Sequence, residues 1–202
     1  MTKYLVVGGS VGAIGAVEAI REIDKSGEIT IVSQEAYPAY SRPMISEYLA
    51  GKVRLEAMYY RPASFYRDNG INLLLGRRVT ALDVRERLAD LDSGERLDWD
   101  QCLLATGAVP IRPARKGVDK RGIFHFTTVA DAQAIDRAIV QGGRAAVVIG
   151  GGLIGVSACE ALVERGVSVT LVELQDRVLS LSLDRHGSEL VATAMRQAGV
   201  EI

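Results

Sequence analysis

Residues Ala145–Glu173 read AAVVIGGGLIGVSACEALVERGVSVTLVE, and this stretch decides the fold of the chain. The apolar run Ala145–Ile149 is long enough for one buried parallel strand, and a G-x-G-x-x-G loop follows it at once. Val156–Arg165 then carries apolar residues at helical spacing, and a second apolar run, Val167–Val172, ends in Glu173. Strand, glycine loop, helix, strand and terminal acid in this order predict a dinucleotide-binding βαβ unit.

Each part of this unit has a role in binding a dinucleotide. The first glycine of the loop permits a tight turn, the second leaves room for the pyrophosphate, and the third lets helix and strand pack closely. The helix N-terminus presents unpaired N–H groups to phosphates. The terminal carboxylate can bind both ribose hydroxyls and would repel a 2′-phosphate, which favours NAD over NADP. The residues predicted to bind here are Gly150, Gly152, Leu153, Ile154, Gly155 and Glu173.

The N-terminal stretch repeats the same unit. Tyr4–Val7 is a buried-strand run, and the loop Gly8–Ala13 follows it. A helix is predicted from there to about Lys25, and Ile29–Val32 is the next strand. The repetition of one unit in one chain predicts two bound dinucleotides.

The first loop is a variant of the second. Ser10 and Ala13 replace the second and third glycines. Both side chains are small, so a phosphate can still approach the loop and the helix can still pack against it. Ser33 occupies the place of Glu173, with Gln34 and Glu35 just beyond, so the pattern leaves the ribose acceptor of this site open. The residues predicted to bind here are Gly8, Gly9, Ser10, Val11, Gly12, Ala13, Ser33 and Gln34.

The tract between the two units has a different organisation. An irregular loop leads from Tyr37 into short helical patterns, and strand patterns and a turn follow. The predicted elements are helices near Ser46–Ala50, Pro62–Asn69 and Thr128–Gln141, a strand Ile71–Leu75, an antiparallel pair Val79–Val84 and Leu88–Leu91, and a buried strand Gln101–Ala105. We therefore expect an α/β fold with two Rossmann-like domains, 1–112 and 113–202, joined by a linker at 111–122.

Composition narrows the functional classes. The chain has 202 residues, 48% of them hydrophobic, and a net charge of −1, which gives no electrostatic case for nucleic acid or an acidic membrane. Ala145–Cys159 is nearly uncharged but too short to cross a bilayer. The only two cysteines, Cys102 and Cys159, lie in apolar segments and are expected to be buried thiols of a cytoplasmic protein. The two histidines have no clustered acid or thiol, so no metal site is predicted.

Two dinucleotide loops separated by a strand that ends in LLATGAVP resemble the FAD-dependent pyridine nucleotide-disulfide oxidoreductases. The stretch Tyr40–Pro43 with the following Ser46 is most similar to the branch of rubredoxin reductases, NADH oxidases and nitrite reductase flavoproteins. The resemblance implies FAD on the first unit and NAD(H) on the second. It also implies that Arg42 and Pro43 lie along the flavin, that Val79 meets the adenine through its backbone, and that Thr106 and Gly107 form a strand end beside the cofactor.

Three features depart from the family pattern. Family members that act on disulfides or peroxides carry a redox cysteine near the flavin, whereas this chain has no cysteine before Cys102. Many relatives have a glutamate two residues after the last glycine of the NAD loop, where this chain has Ser157. The family chain is about twice as long, so both domains are expected to be incomplete relative to it. We therefore expect weak FAD binding and self-association of exposed strand edges.

The leading functional expectation is an NADH-dependent flavoprotein oxidoreductase that passes electrons to a small redox protein, oxygen or a small disulfide. No catalytic side chain is assigned, because the chemistry belongs to the cofactors. The alternatives are a thiol-dependent reductase or peroxidase of the same superfamily and a non-catalytic nucleotide-binding fragment. A homo-oligomer is expected. The pair Arg77–Arg78 is expected to be an ordinary surface feature.

Overall fold

The computed structural model describes residues 1–112, 114 and 116–202, and the described chain forms two compact units. The first unit comprises Met1–Ser41 and Met58–Val109, and the second comprises Arg42–Ala57 and Pro110–Ile202. Each unit has a parallel sheet of its own, as the repeated sequence pattern predicts.

Strands and helices alternate over much of the chain, which confirms the predicted α/β class. The strands are β1 Lys3–Val7, β2 Glu28–Ser33, β3 Ile71–Leu75, β4 Val79–Asp83, β5 Leu88–Leu91, β6 Arg96–Asp98, β7 Gln101–Leu104, β8 Ala145–Ile149, β9 Ser168–Val172 and β10 Val200–Glu201. The helices are α1 Val11–Ile23, α2 Ile45–Leu49, α3 Ser64–Asp68, α4 Val129–Val140, α5 Leu153–Glu164 and α6 Arg185–Gln197.

The first unit is built on a parallel sheet with the strand order β3-β2-β1-β7. Successive residues of β1 point to opposite faces of the sheet. Val6 packs with Val17 of α1 on one face, and Leu5 packs with Ala89 of β5 on the other. The central strands β1 and β2 are therefore buried on both faces, which is why Leu5–Val7 and Ile29–Val32 are mostly apolar.

A second, antiparallel sheet with the order β4-β5-β6 covers one of these faces. The predicted pairing of β4 with β5 is confirmed, and Ala89 and Leu91 of β5 are its buried residues. The sequence analysis did not predict β6, because Arg96–Asp98 is short and carries two charged residues, so it has no apolar alternation to detect.

The second unit has a parallel sheet with the order β10-β9-β8, and α5 connects β8 to β9. The centre strand β9 buries Val169 and Leu171, and Cys159 of α5 is fully buried. β8 is the edge strand of the described sheet, and its residues Val147 and Ile149 are 65% and 79% exposed.

The segment Arg42–Ala57 packs with the second unit, although the predicted division at residue 112 groups it with the first. Its helix α2 contacts α4 and α5. Arg165 donates to the Leu49 carbonyl at 2.7 Å, and Lys52 forms an ion pair with Glu164 at 2.6 Å. These partners are far apart in the sequence, so local patterns cannot predict the contact. Pro113 and Arg115, within the predicted linker, lie outside the described residues.

Across the described ranges, no helix has both the length and the apolar character needed to cross a membrane.

Candidate nucleotide-binding sites

The first glycine loop connects β1 to α1 at the carboxyl edge of the first sheet. Gly8 has a φ of 120°, which favours glycine, and its N–H donates to the Val32 carbonyl at 2.9 Å. A Cβ on Gly8 would collide with the Ala105 carbonyl, and a Cβ on Gly9 would lie 2.5 Å from the Ser33 Cβ. These two glycines are therefore required by the close approach of neighbouring strand ends.

The second loop repeats this geometry between β8 and α5. Gly150 has a φ of 104°, and its N–H donates to the Val172 carbonyl at 2.8 Å. A Cβ on Gly155 would collide with the Gly150 carbonyl, so the third glycine is required for helix packing.

Gly152 differs from these glycines, because its surroundings indicate space for a ligand. Its φ of −79° suits any residue, and a Cβ built on it would meet nothing within 4 Å. Neither backbone strain nor packing within the described chain therefore requires glycine at this position. Gly152 is the N-cap of α5, where a phosphate can approach the helix N-terminus. The loop thus fits a pyrophosphate.

The variant residues of the first loop have structural consequences. Ser10 is the N-cap of α1 but its side chain makes no capping hydrogen bond. Ala13 is 1% exposed and belongs to the core between α1 and β1, so α1 packs at a distance that accommodates a methyl group. The apolar residues that begin the two helices remain exposed: Val11, Leu153 and Ile154 are 56%, 66% and 57% accessible.

Glu173 follows β9 directly and is fixed against the second loop. Its carboxylate accepts hydrogen bonds from the Gly151 N–H and, at 2.8 Å, from the Gln175 N–H. The backbone bonds from Gln175 and Gly151 lower the pKa of this carboxyl below its ordinary value. The group is therefore a fixed negative charge at neutral pH, beside the loop that would hold the phosphates.

The corresponding position of the first unit has no carboxylate. Ser33 is buried against Gly9, with 4% of its surface exposed. The next residue, Gln34, is exposed, and Arg78 donates to its side-chain oxygen at 3.3 and 3.4 Å. Local sequence patterns do not reveal this contact, because 44 residues separate the partners. The Arg77–Arg78 pair directly before β4 was its only signal.

Thr106 lies next to the first loop, since a Cβ on Gly8 would be 3.2 Å from the Thr106 backbone nitrogen, and Gly107 follows it. They follow Ala105, whose N–H donates to the Val7 carbonyl at 2.8 Å. Gly107 has a φ of 69°, so the chain turns at this strand end. Val79 begins β4 and is partly buried in the core beneath the first sheet.

Arg42 and Pro43 form a short 3-10 turn in the second unit. The Arg42 guanidinium donates to the Thr127 carbonyl at 2.7 Å, just before the capping box of α4. The segment is thus anchored within that unit.

A cleft of about 1290 Å³ runs along the second loop. Its walls combine apolar side chains with loop backbone and one fixed carboxylate, the mixture typical of cofactor sites. The lining includes Phe124, Val147, Ile149, Leu153, Ile154 and Glu173.

The two thiols are not activated. Burial raises the pKa of Cys159 to about 11, and burial also raises the pKa of Cys102. A thiol with a raised pKa carries little nucleophilic thiolate at neutral pH. The described part of the chain also contains no group of three or more His, Cys, Asp or Glu side chains that could hold a metal ion.

Comparison with known proteins places these features in a family. The model of the pyridine nucleotide-disulphide oxidoreductase family matches residues 2–202. The chain is 34% identical over 201 residues to the NADH-dependent phenylglyoxylate dehydrogenase subunit epsilon of Aromatoleum evansii, covering 100% of this chain and 48% of the relative. It is 28% identical over 197 residues to the rubredoxin-NAD(+) reductase of Pseudomonas putida, covering 97% of this chain and 51% of the relative.

Solved structures agree with the sequence relatives. A chain of the covalent putidaredoxin reductase–putidaredoxin complex superposes with a TM-score of 0.88 at 29% identity, covering 100% of this chain and 49% of that one. A NAD-dependent persulfide reductase from A. fulgidus superposes with a TM-score of 0.91 at 28% identity, covering 98% of this chain and 39% of that one. The chain therefore spans about half the length of the curated relatives or less. Members of the matched family bind FAD and NADH or NADPH.

Proposed function

Because the chain belongs to the pyridine nucleotide-disulphide oxidoreductase family, we propose that it carries the FAD and NADH sites of a flavoprotein reductase. FAD is held by the first loop, within 1–112, and NADH by the second, within 113–202. One observation carries the proposal most directly. Gly152 is open where a phosphate would approach, and Glu173 is held as a carboxylate beside the same loop.

The first loop would hold the FAD pyrophosphate. The backbone of Gly8–Ala13 and the N-terminus of α1 offer N–H donors, and the uncommitted Ser10 side chain can add a hydroxyl contact. Thr106 and Gly107 follow the strand that lies beside this loop, so they close one side of the site. Val79 supports the adenine through its backbone.

The second loop would hold NADH. Gly150–Gly155 and the N-terminus of α5 bind the pyrophosphate, and the Glu173 carboxylate accepts hydrogen bonds from the ribose hydroxyls. The carboxylate repels a 2′-phosphate, which selects NADH over NADPH. The exposed Leu153 and Ile154 would be covered by the bound dinucleotide.

When bound, the nicotinamide and flavin groups would supply hydride-transfer chemistry. The protein's part is to hold both dinucleotides by backbone donors and to exclude water from their apolar portions. The acceptor we favour is a small redox protein. Two relatives support this choice by name: rubredoxin-NAD(+) reductase, and the ferredoxin–NAD(+) reductase component of a biphenyl dioxygenase system from Paraburkholderia xenovorans. Oxygen and small disulfides are the other acceptors to test.

A thiol-dependent reductase is the less favoured alternative. It needs a nucleophilic cysteine next to the flavin, and the chain has none before Cys102. Burial raises the pKa values of both Cys102 and Cys159. Replacing both by alanine should leave NADH-to-flavin electron transfer intact, with only a packing loss on the order of 2 kcal/mol or less, because only one small side-chain atom is removed at each site. Stopped-flow reduction slowed a hundredfold in a folded double variant would support the thiol mechanism instead.

The visible absorption of the FAD-loaded protein tests the proposal. Anaerobic addition of NADH should bleach the flavin band, and subsequent addition of a rubredoxin or a ferredoxin should restore it. A protein that binds FAD but is not bleached by NADH would contradict the reductase function and favour a non-catalytic nucleotide-binding fragment.

A further inference from the structure

The segment that precedes α4 carries a local positive charge. Residues 112–125 contain five basic residues and one acidic residue, although the whole chain has a net charge of −1. Arg115 lies outside the described residues, and the four other basic residues are exposed: Arg112, Lys116, Lys120 and Arg121. The segment is therefore a concentration of accessible positive charge.

Three of these basic side chains have no carboxylate partner within the described residues. Arg112 Nη1 lies 3.8 Å from Asp119 Oδ1. The ion pairs of the described chain do not include Lys116, Lys120 or Arg121. The charges of these three residues are therefore available to an acidic group of another molecule.

The same segment is closed into a loop and has exposed apolar residues where its ends meet. Arg112 Nε donates to His125 Nε2 at 2.9 Å, which joins the beginning of the segment to its end. Beside this contact, Ile111, Ile123 and Phe124 are 92%, 50% and 42% exposed, and all three line the cleft described above. The linker surface is defined here as Ile111, Ile123 and Phe124 together with Arg112, Lys116, Lys120 and Arg121.

The composition of the linker surface indicates what kind of molecule it binds. An exposed apolar centre with a polar rim is typical of protein–protein interfaces, and the positive rim selects a partner with an acidic face. The surface has seven residues, far fewer than the about 20–30 per partner of a standard interface, which suits the weak encounters of electron-transfer proteins. Accessible charges also favour such encounters, because they speed association.

We propose that the linker surface docks the acidic face of the small redox protein that receives the electrons. The inference rests on the proposed function, in which a small redox protein is the acceptor. Ile111 follows Gly107 by four residues, and Gly107 belongs to the strand end proposed to lie beside FAD. For each NADH oxidised to NAD⁺ and a proton, two molecules of a one-electron carrier are reduced, so the carriers dock in turn.

The test measures the binding of a fluorescently labelled rubredoxin of net negative charge to the 202-residue chain by anisotropy, which needs no bound cofactor. The affinity should fall by at least about tenfold between about 0.01 M and 0.15 M salt, as the Debye length shortens from about 30 Å to about 8 Å. Cytochrome c, a basic redox protein, should bind at least about tenfold more weakly than rubredoxin at the lower salt concentration, because its charge has the wrong sign. Saturating NADH should leave the rubredoxin affinity within about twofold.

Two double variants and one single variant locate the docking surface. Lys120→Glu combined with Arg121→Glu should weaken rubredoxin binding by about tenfold at about 0.01 M salt and by less at about 0.15 M. Lys25→Glu combined with Arg85→Glu is the matched control, because it reverses two exposed charges on the first unit. This control should stay within about threefold of the parent chain. Ile111→Ser should weaken binding by about threefold at both salt concentrations, because it removes apolar contact area.

The outcomes separate the inference from the proposed function. Equal weakening in both double variants, or an unchanged affinity in the variant with Lys120→Glu and Arg121→Glu, overturns the inference. Competition by NADH overturns it by assigning the apolar residues to the nucleotide, and tighter binding of a single-stranded oligonucleotide overturns it by assigning the surface to nucleic acid. Flavin bleaching by NADH, measured with excess FAD, is the separate readout of the proposed function. Bleaching without rubredoxin binding overturns the inference alone, whereas rubredoxin binding without bleaching overturns the proposed function and, with it, the role of the partner as electron acceptor.

Discussion

At the scale of single residues, a substitution at Gly152 can test nucleotide binding without destabilising the fold. Its conformation and its open surroundings accept a Cβ, so Gly152→Ala should leave the unfolding midpoint unchanged while occupying the space a phosphate needs. We expect NADH affinity, measured by calorimetry, to fall by at least about tenfold. Gly15→Ala in α1 is the matched control, because a Cβ there also meets nothing within 4 Å and it lies far along the chain from the second loop. Equal NADH affinity in both variants would show that the pyrophosphate does not bind at Gly152.

The proposed role of Glu173 in the preference for NADH over NADPH is also tested at a single residue. Removing the carboxylate in Glu173→Ala should weaken NADH binding by about 1–3 kcal/mol through the loss of charged hydrogen bonds. NADPH should lose less, because the repulsion of its 2′-phosphate disappears as well. Parallel titrations with the two nucleotides measure the difference, and an equal loss for both would remove Glu173 from the ribose site.

At the scale of elements, α4 depends on its capping box. The Thr128 hydroxyl accepts the Asp131 N–H at 3.1 Å, and the Asp131 carboxylate accepts the Thr128 N–H at 2.9 Å. Thr128→Ala should lower the free energy of unfolding by about 1 kcal/mol in urea. The same substitution at Thr193, exposed within α6, should change it by less than about 0.5 kcal/mol. Equal effects of the two substitutions would contradict the capping assignment.

The Asp131 carboxylate adds a pH dependence to this element. Burial opposes its ionisation, but hydrogen bonds from Thr127 and Thr128 together hold its pKa below the ordinary value of 3.8. A folded-state pKa below the unfolded one stabilises the fold above the unfolded value, and this stabilisation is lost as the pH falls through the folded value. Asp131→Asn should therefore destabilise the protein at neutral pH and should cost progressively less below pH 3.8. A cost that is independent of pH in acid titrations of both chains would contradict this account.

The elements show which parts of the molecule local sequence can predict. Both βαβ units and their loops were predicted, because apolar runs and glycine spacing are local signals. The strand β6 was not, since three mostly polar residues carry no periodicity. The packing of Arg42–Ala57 with the second unit and the Arg78–Gln34 contact depend on partners distant in the chain. Long-range contacts of this kind have no signature in a single sequence.

At the scale of the whole molecule, the proposed function requires two nucleotide sites on one chain. The loops at Gly8–Ala13 and Gly150–Gly155 belong to different sheets and different compact units. Each loop has its own helix N-terminus and its own strand end. Ser33 in the first unit and Glu173 in the second occupy corresponding positions, and this difference predicts different nucleotides at the two sites.

A two-ligand calorimetric titration distinguishes two nucleotide sites from one. FAD is added to the protein to saturation, NADH is then titrated under anaerobic conditions, and the Gly152→Ala variant is treated in the same way. We expect one equivalent of FAD and one further equivalent of NADH, with only the NADH step weakened in the variant. Competition of FAD and NADH for a single site, or loss of both steps in the variant, would contradict it.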